Sequence, residues 1–416
     1  RSVLRSSWVS LIEDNGLQHI FVTPEQVAAG RLAEEGVKVL VLPEVWAMSD
    51  EEARHVETFV REGGTVVADQ YTGLYDGHGR RREGGGVLDD LFGIDQSAVT
   101  GDVRTAGEAP AGEPMTVEDR RLAETVAKAA GAARAPTWRK LSTRGPNVRG
   151  IQARDDAKAL VGTPDDAAFV VRPLGEGVAV FLNLDLAHYA WVRTQDADRA
   201  AMIAALVRQA MPRTVTGPAR VLSAETGRRL HGAEVGLWRA GPERVHLAIW
   251  RSINLNKEGI GGEAFADNTL FEDVEPVRVE LPAEMHVYNQ RTGEDLGRTR
   301  TVEAKLSPWE PLILTCQKSP FEPFELDGPE RARRGEAVEI AVRTGKLPRT
   351  LQVFHVEAVN PAGEPVWYYT RELSTRDDRA TYRIPLALNE WTGTWTFRVR
   401  EVATGRVKEH KVTVAE

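Results

Sequence analysis

The stretch that most constrains what this chain can fold into is Val37 to Gln70, VKVLVLPEVWAMSDEEARHVETFVREGGTVVADQ, which carries a strand, a helix and a second strand with a signal at each junction. Val37 to Leu42 is a nearly continuous apolar run closed by Pro43, the pattern of a strand buried on both faces of a parallel sheet rather than of a half-exposed one. Ser49 and Glu52 have the spacing of a capping box, in which the hydroxyl takes the N3 backbone N–H and the carboxylate reaches back to the Ser49 N–H. Ala53, Val56, Phe59 and Val60 then share one helical face, Gly63-Gly64 stops the helix, and Thr65 to Ala68 follows as the next parallel strand. Burying the two valines and the phenylalanine contributes roughly 1.5–3 kcal/mol each. A cap contributes roughly 0.5–2 kcal/mol, so packing decides that the helix forms and the cap sets its boundary.

A chain of 416 residues is too long for one core and implies about two to four domains. Its 42% hydrophobic and 27% charged content is ordinary for globular protein, and no apolar run approaches the ~20 residues of a membrane span, so no membrane partner is expected. The net charge of −8 is spread without a basic stripe, which argues against a nucleic-acid groove. Cys316 is the single cysteine, which excludes an intramolecular disulfide and a zinc-thiolate site. The nine histidines are scattered, with no two on one helical face, so neither a metal nor a cofactor is expected.

Leu4, Trp8, Leu11 and Ile12 recur at helical spacing, so the chain opens inside a helix. Gln18 to Val22 reads as a strand, and Pro24 to Glu35 as a helix with proline in its first turn. A doubly wound sheet normally places a strand before its first helix, and from this a piece of a longer polypeptide is expected. After Gln70 comes YTGLYDGHGRRREGGGVLDDLFGI, at the carboxyl end of a strand, where open α/β sheets bind ligands. Arg80, Arg81 and Arg82 there could cradle an anion, although charged residues beside glycines more often form a solvated connection. A helical patch is expected near Val117 to Ala130, a hairpin at Gly175 to Gly177, and a closing helix over Asp198 to Met211.

Beyond Pro218 helical periodicity disappears. ARVLSAETG, AEVGLWRAG, RVHLAIWRS, VRVELP, MHVYNQRTG and TVEAKLSPWEPLILTC read as short strands of a β-sandwich, with a long loop from Asn254 to Glu275. FELDGPERARRGEAVEIAVR, LQVFHVEAVNPAGEPVWYY, ATYRIPLAL and GTWTFRVREVATG give a second sandwich of immunoglobulin-like size. The expected architecture is multidomain: an α/β flavodoxin-like domain over 1–212, then two all-β sandwich domains over 218–318 and 320–416.

The segment KVLVLPEVWAMSDEEARHVETFVREGGTVVADQYTGLYDGHGRRREGGGVLDDLFGI resembles the class I glutamine-amidotransferase-like trimerisation domain of family 42 β-galactosidases and related bacterial glycoside-hydrolase-like proteins. MHVYNQRTGEDLGRTRTVEAKLSPWEPLIL resembles the small β-domain that follows it, and 320–416 an immunoglobulin-like module appended in some of them. The resemblance implies an accessory region that follows a catalytic TIM barrel, a homo-oligomer with trimer favoured, a carbohydrate-handling parent, and a secreted or periplasmic location for that parent.

Amidotransferase chemistry needs a nucleophilic cysteine on a strand-to-helix elbow. That elbow holds Asp69, Gln70 and Tyr71, and Cys316 lies on an apolar strand of the second domain, so no such activity is expected. Glu44, Asp69 and His78 would gather at strand ends as a general acid–base group, but polar residues are common there in any such sheet, and no catalytic residue is expected. Trp46, Tyr71, Tyr75, Tyr189 and Trp191 could stack sugar rings, or could be satellite core; Trp367 to Tyr369 could form a carbohydrate face. Two functions follow: a non-catalytic accessory and oligomerisation region of a glycoside-hydrolase-like protein, which the sequence favours, or an independent small-molecule hydrolase using the strand-end pocket.

Overall fold

The computed structural model describes residues 2–99, 117–136, 141, 143, 150–163, 166–251, 273–345 and 349–416. The chain divides into two compact units that meet in sequence at Gly217 and Pro218. The loop expected from Asn254 lies outside the described residues as far as 272.

The first unit is built on the stretch that dominates its sequence. Strand β1 (Val39–Leu42) pairs in parallel with β2 (Thr65–Ala68), Val39 opposite Thr65 and Leu42 opposite Ala68. Helices α1 (Ser2–Asp14) and α2 (Pro24–Ala28) precede β1, and α3 (Asp50–Arg61) links it to β2. The capping box forms as the spacing predicts: the Glu52 N–H donates to the Ser49 hydroxyl at 3.2 Å, and the Ser49 N–H to the Glu52 carboxylate at 2.7 Å. After β2 come α4 (Asp89–Phe92), the short pair β3 (Ile94–Asp95) and β4 (Gln152–Ala153), and between these α5 (Val117–Ala130). Strands β5 (Lys158–Thr163), β6 (Asp166–Leu174) and β7 (Gly177–Leu182) complete the main sheet in the order β1-β2-β7-β6-β5. Strand β7 is parallel to β2, whereas β6 and β5 are antiparallel, so three parallel strands are extended by hairpins. Gly175 turns the β6–β7 hairpin at φ +62°, and a Cβ there would lie 2.5 Å from the Arg61 carbonyl oxygen. A close approach of the turn to the end of α3 therefore requires glycine.

Alternation along β1, β2 and β7 feeds two cores, because successive strand residues point to opposite faces. Val39, Val41, Val67 and Val180 pack with Trp8, Leu11, Ile203 and Leu206, under α1 and the last helices, α6 (Tyr189–Gln195) and α7 (Ala197–Gln209). Leu40, Leu42, Val66 and Phe181 pack with Val56, Phe59 and Val60 of α3. Two local expectations are corrected. Gln18 to Val22 is not a strand, since it pairs with no described strand, and Ile20 and Phe21 are 59% and 67% exposed. The helix expected from Pro24 to Glu35 ends at Ala28, ahead of Gly30, which takes a left-handed φ of +70°.

In the second unit β8 (Arg220–Ser223), β9 (Ala233–Arg239), β10 (Arg244–Arg251), β11 (Glu275–Asn289), β12 (Glu294–Leu306) and β13 (Leu312–Gln317) form one six-stranded sheet. The sequence reads 218–318 as a β-sandwich of short strands; in the structure these strands are hydrogen-bonded into one sheet, because VRVELP and MHVYNQ belong to one strand, and together they enclose one core. Strand β11 breaks register between Glu280 and Met285, pairing β8 with its first half and β13 with its second. The remaining strands, β14 (Glu325–Asp327) to β21 (Val407–Ala415), make a three-stranded and a five-stranded sheet. The two sheets enclose one core that includes Ile340, Phe354, Trp395 and Phe397.

Buried polar contacts cross from the six-stranded sheet to this pair of sheets. The Arg244 guanidinium donates to Glu401 at 2.9 Å and to Gln317 at 3.1 Å, and both Arg244 and Glu401 are buried. The second Glu401 oxygen accepts the Thr404 N–H at 2.7 Å and its hydroxyl at 2.6 Å. The Phe321 N–H donates to the Tyr288 hydroxyl at 3.1 Å. Removing one partner of a buried pair strands the other charge, so Arg244→Ala should destabilise the unit by about 3–5 kcal/mol, read as a lower urea midpoint. A second prediction concerns acid. Burial, with the Arg244 cation beside it, pushes the pKa of His246 down from 6.5 to about 4, and its Nδ1 lies 2.7 Å from the Gln290 amide nitrogen. The stability contributed by this depressed pKa is present above pH 6.5 and is lost as the pH falls toward about 4. Over that window the chain should lose more urea stability than its His246→Gln variant.

Candidate functional site

The carboxyl ends of β1 and β2 carry two of the three non-glycine residues with left-handed backbone among the described residues, Glu44 at φ +41° and Tyr71 at φ +63°. Between them in space lies Asp69, the first residue after β2 and buried. One Asp69 oxygen accepts from the Trp8 indole N–H at 2.7 Å, and the other accepts the Glu44 backbone N–H. Burial raises the Asp69 pKa well above the ordinary carboxylate range; the two hydrogen bonds oppose the shift, and the Glu44 and Asp185 carboxylates add to it. This carboxyl is thus a joint between α1 and two strand ends, with both oxygens engaged.

The neighbouring residues are held as firmly. Gln70 is buried, and its amide donates to the Asn183 side chain at 3.2 Å. Tyr71 is buried, and its phenol pKa is raised by burial and by the Glu44 and Asp185 carboxylates. The strained elbow position therefore holds a phenol that resists ionisation, where a nucleophile would need the reverse. Cys316 is on β13, buried, and burial pushes its thiol up to about 12, which leaves it inert. Trp46 lies 5.8 Å from Tyr71 and stacks on Tyr75 at 6.4 Å between ring centroids, and all three belong to or pack on the α3-side core.

The residues singled out in the sequence are thus partly gathered. Glu44 and Asp69 meet, and Trp46, Tyr71 and Tyr75 form one aromatic group beside them. His78 lies on the exposed turn from Asp76 to Arg80, where its backbone N–H and that of Arg80 each donate to the Asp76 carboxylate at 2.9 Å. Arg80 is exposed, while Arg81 donates to the Val99 carbonyl, and Arg82 to the Met48 carbonyl at 2.8 Å and to Asp50 at 2.7 Å. Those two guanidinium groups hold the loop in place. Trp191 sits on α6, 45% exposed, on a helix whose Tyr189 and Val192 belong to the other core. Trp8 and Asp185 are site residues that the sequence did not disclose; Trp8 reads there only as one apolar position of a helix.

Among the described residues no group of three or more His, Cys, Asp or Glu side chains is placed to hold a metal ion, and no helix is long and apolar enough to cross a membrane. The class defined by these observations is a mixed α/β unit whose strand-end carboxyl fastens a helix, followed by an all-β unit. More particularly, residues 32–211 match the family model of the beta-galactosidase trimerisation domain, which bears out the resemblance read from the segment Lys38 to Ile94. No curated protein matches the chain. Among solved structures it is similar to Gan42B, a GH42 beta-galactosidase from G. stearothermophilus, at 16% identity and a TM-score of 0.44 over 75% of this chain and 36% of that one. It is also similar to the apo exo-carrageenase GH42 from Bacteroides ovatus, at 9% identity and a TM-score of 0.31, covering 76% of this chain and 27% of that one. The chain thus spans 36% of the length of Gan42B.

A raised folded pKa for Asp69 has a definite sign in stability. Its contribution is full below the ordinary value of 3.8 and is lost as the pH rises through the higher folded value. As the pH rises above 3.8 and through the raised folded value, the wild-type chain should therefore lose urea stability relative to Asp69→Asn, whose side chain cannot ionise.

Proposed function

We propose that this chain is the non-catalytic accessory and oligomerisation region of a bacterial glycoside-hydrolase-like protein acting in carbohydrate metabolism. The match of residues 32–211 to the beta-galactosidase trimerisation domain carries the proposal. In this reading the first unit is an amidotransferase-like, flavodoxin-related trimerisation domain over 1–212, 218–318 is a small β-domain, and 320–416 is an immunoglobulin-like module. The catalytic barrel of the parent protein is its partner, and a homotrimer is its assembly. The site chemistry supports this: the elbow carries Tyr71 with a raised pKa, and the Asp69 oxygens are taken by Trp8 and Glu44.

A specific trimer buries on the order of 1,200–2,000 Å² at each interface. Sedimentation of the purified chain should then give three times the 45.9 kDa chain mass at micromolar protein, with no hydrolysis of nitrophenyl β-galactoside above a buffer blank. A monomer at all concentrations, both alone and when joined to its barrel, removes the oligomerisation role. Turnover abolished by Glu44→Ala or Asp69→Ala replaces it with the hydrolase reading.

A further inference from the structure

The six-stranded sheet of the second unit has two faces of different character. Val235, Leu247, Ile249 and Leu314 point into its core, so alternation turns Gly236, Trp238, His246 and Ala248 to the opposite face. The register sets Trp238 across from His246 and Gly236 across from Ala248. A Cβ at Gly236 would lie 2.5 Å from Trp238 Cη2 and 3.2 Å from Trp250 Cη2, so the benzo edges of both indoles come together over the bare glycine backbone. Trp238 nevertheless stays 54% exposed. A large ring held against the sheet and left open to water is a platform on which another ring can stack.

Beside this indole stands a polar chain whose hydrogen positions follow from its partners. The Thr315 hydroxyl donates to the Ala403 carbonyl, so its oxygen accepts a Gln290 amide N–H at 2.8 Å. The other Gln290 N–H goes to His246 Nδ1 at 2.7 Å. The neutral imidazole therefore carries its proton on Nε2. Among the described residues, the His246 Nε2–H and the Gln290 Oε1 have no hydrogen-bond partner, and neither atom is sealed from solvent. One donor and one acceptor, both uncharged, are thus presented next to an exposed indole.

We propose that this face is a carbohydrate subsite, in which the C–H face of one pyranose ring stacks on Trp238 while its hydroxyls accept from His246 Nε2 and donate to Gln290 Oε1. A pyranose has both properties the site asks for: an apolar face, and a rim of hydroxyls that donate as well as accept. An apolar side chain seated on the indole would strand the two polar groups, at about 1–3 kcal/mol for each one buried without a partner. The choice of a sugar rests on the carbohydrate reading above; the geometry of the subsite does not depend on oligomer formation.

Isothermal titration of the full 416-residue chain with tetrasaccharides cut from galactan, cellulose, mannan and xylan tests the proposal. At least one should bind with a Kd of about 1 mM or tighter, and Trp238→Ala should weaken it by about tenfold or more, as removal of a central aromatic anchor does. No binding of any of these sugars overturns the subsite, as does binding that Trp238→Ala leaves unchanged, or adenosine bound as tightly as the best sugar. If Trp238→Ala does not fold, oxidative footprinting of the unaltered chain decides. Saturating sugar should slow oxidation of Trp238 and leave Trp367, which is 83% exposed, unchanged. No slowing at Trp238, or slowing at Trp367, overturns the proposal. The heat of sugar binding is read independently of chain mass and of hydrolysis, so failure here is distinct from failure of the accessory and oligomerisation reading.

Discussion

The first unit depends on a four-residue parallel ladder, Val39–Leu42 against Thr65–Ala68, whose residues are apolar on both faces. A strand of this kind has no side to give to water, so helices must cover both, and the alternation of its side chains divides the unit into two cores. Helix α3 covers one face through Val56, Phe59 and Val60; α1, α6 and α7 cover the other. The end of the ladder inherits the geometry of this packing. Backbone leaving β1 and β2 turns sharply at Glu44 and Tyr71, and the amide freed at Glu44 is taken by Asp69.

That arrangement sets bonded side chains and backbone at the carboxyl ends of β1 and β2, the place where open α/β sheets bind ligands. The Asp69 carboxyl is desolvated and flanked by Glu44 and Asp185, which in isolation is the signature of a tuned acid. Its hydrogen bonds go to an indole and a backbone amide, both fixed groups that would have to be given up for a substrate to reach it.

What was legible in the sequence was local or compositional. The capping box, the double-faced strand and the burial of Cys316 follow from residues close in sequence or from side-chain type, and each is found. What was not legible needed a partner far along the chain. Gln18 to Val22 has the composition of a strand, but strandness is a property of pairs, and no described strand lies beside it. The Trp8–Asp69 bond spans 61 positions and leaves no periodic trace. That VRVELP and MHVYNQ form one strand was not legible either, because Leu281 to Glu284 shift its register without ending it.

The Arg244–Glu401 pair bears on how such a chain could be inherited. Two neighbouring stretches of β-structure that each close their own core can be shuffled between proteins as separate parts. Here the guanidinium belongs to one and the carboxylate to the other, both out of reach of water. A recombination break at Pro320 would part the guanidinium from the carboxylate and open to water the seam that now buries them, so each product would lose a buried, hydrogen-bonded pair. The seam between the two stretches is thus keyed by one matched pair of charges, and a protein that kept a single stretch would meet water, or need a substitute, where its partner stood.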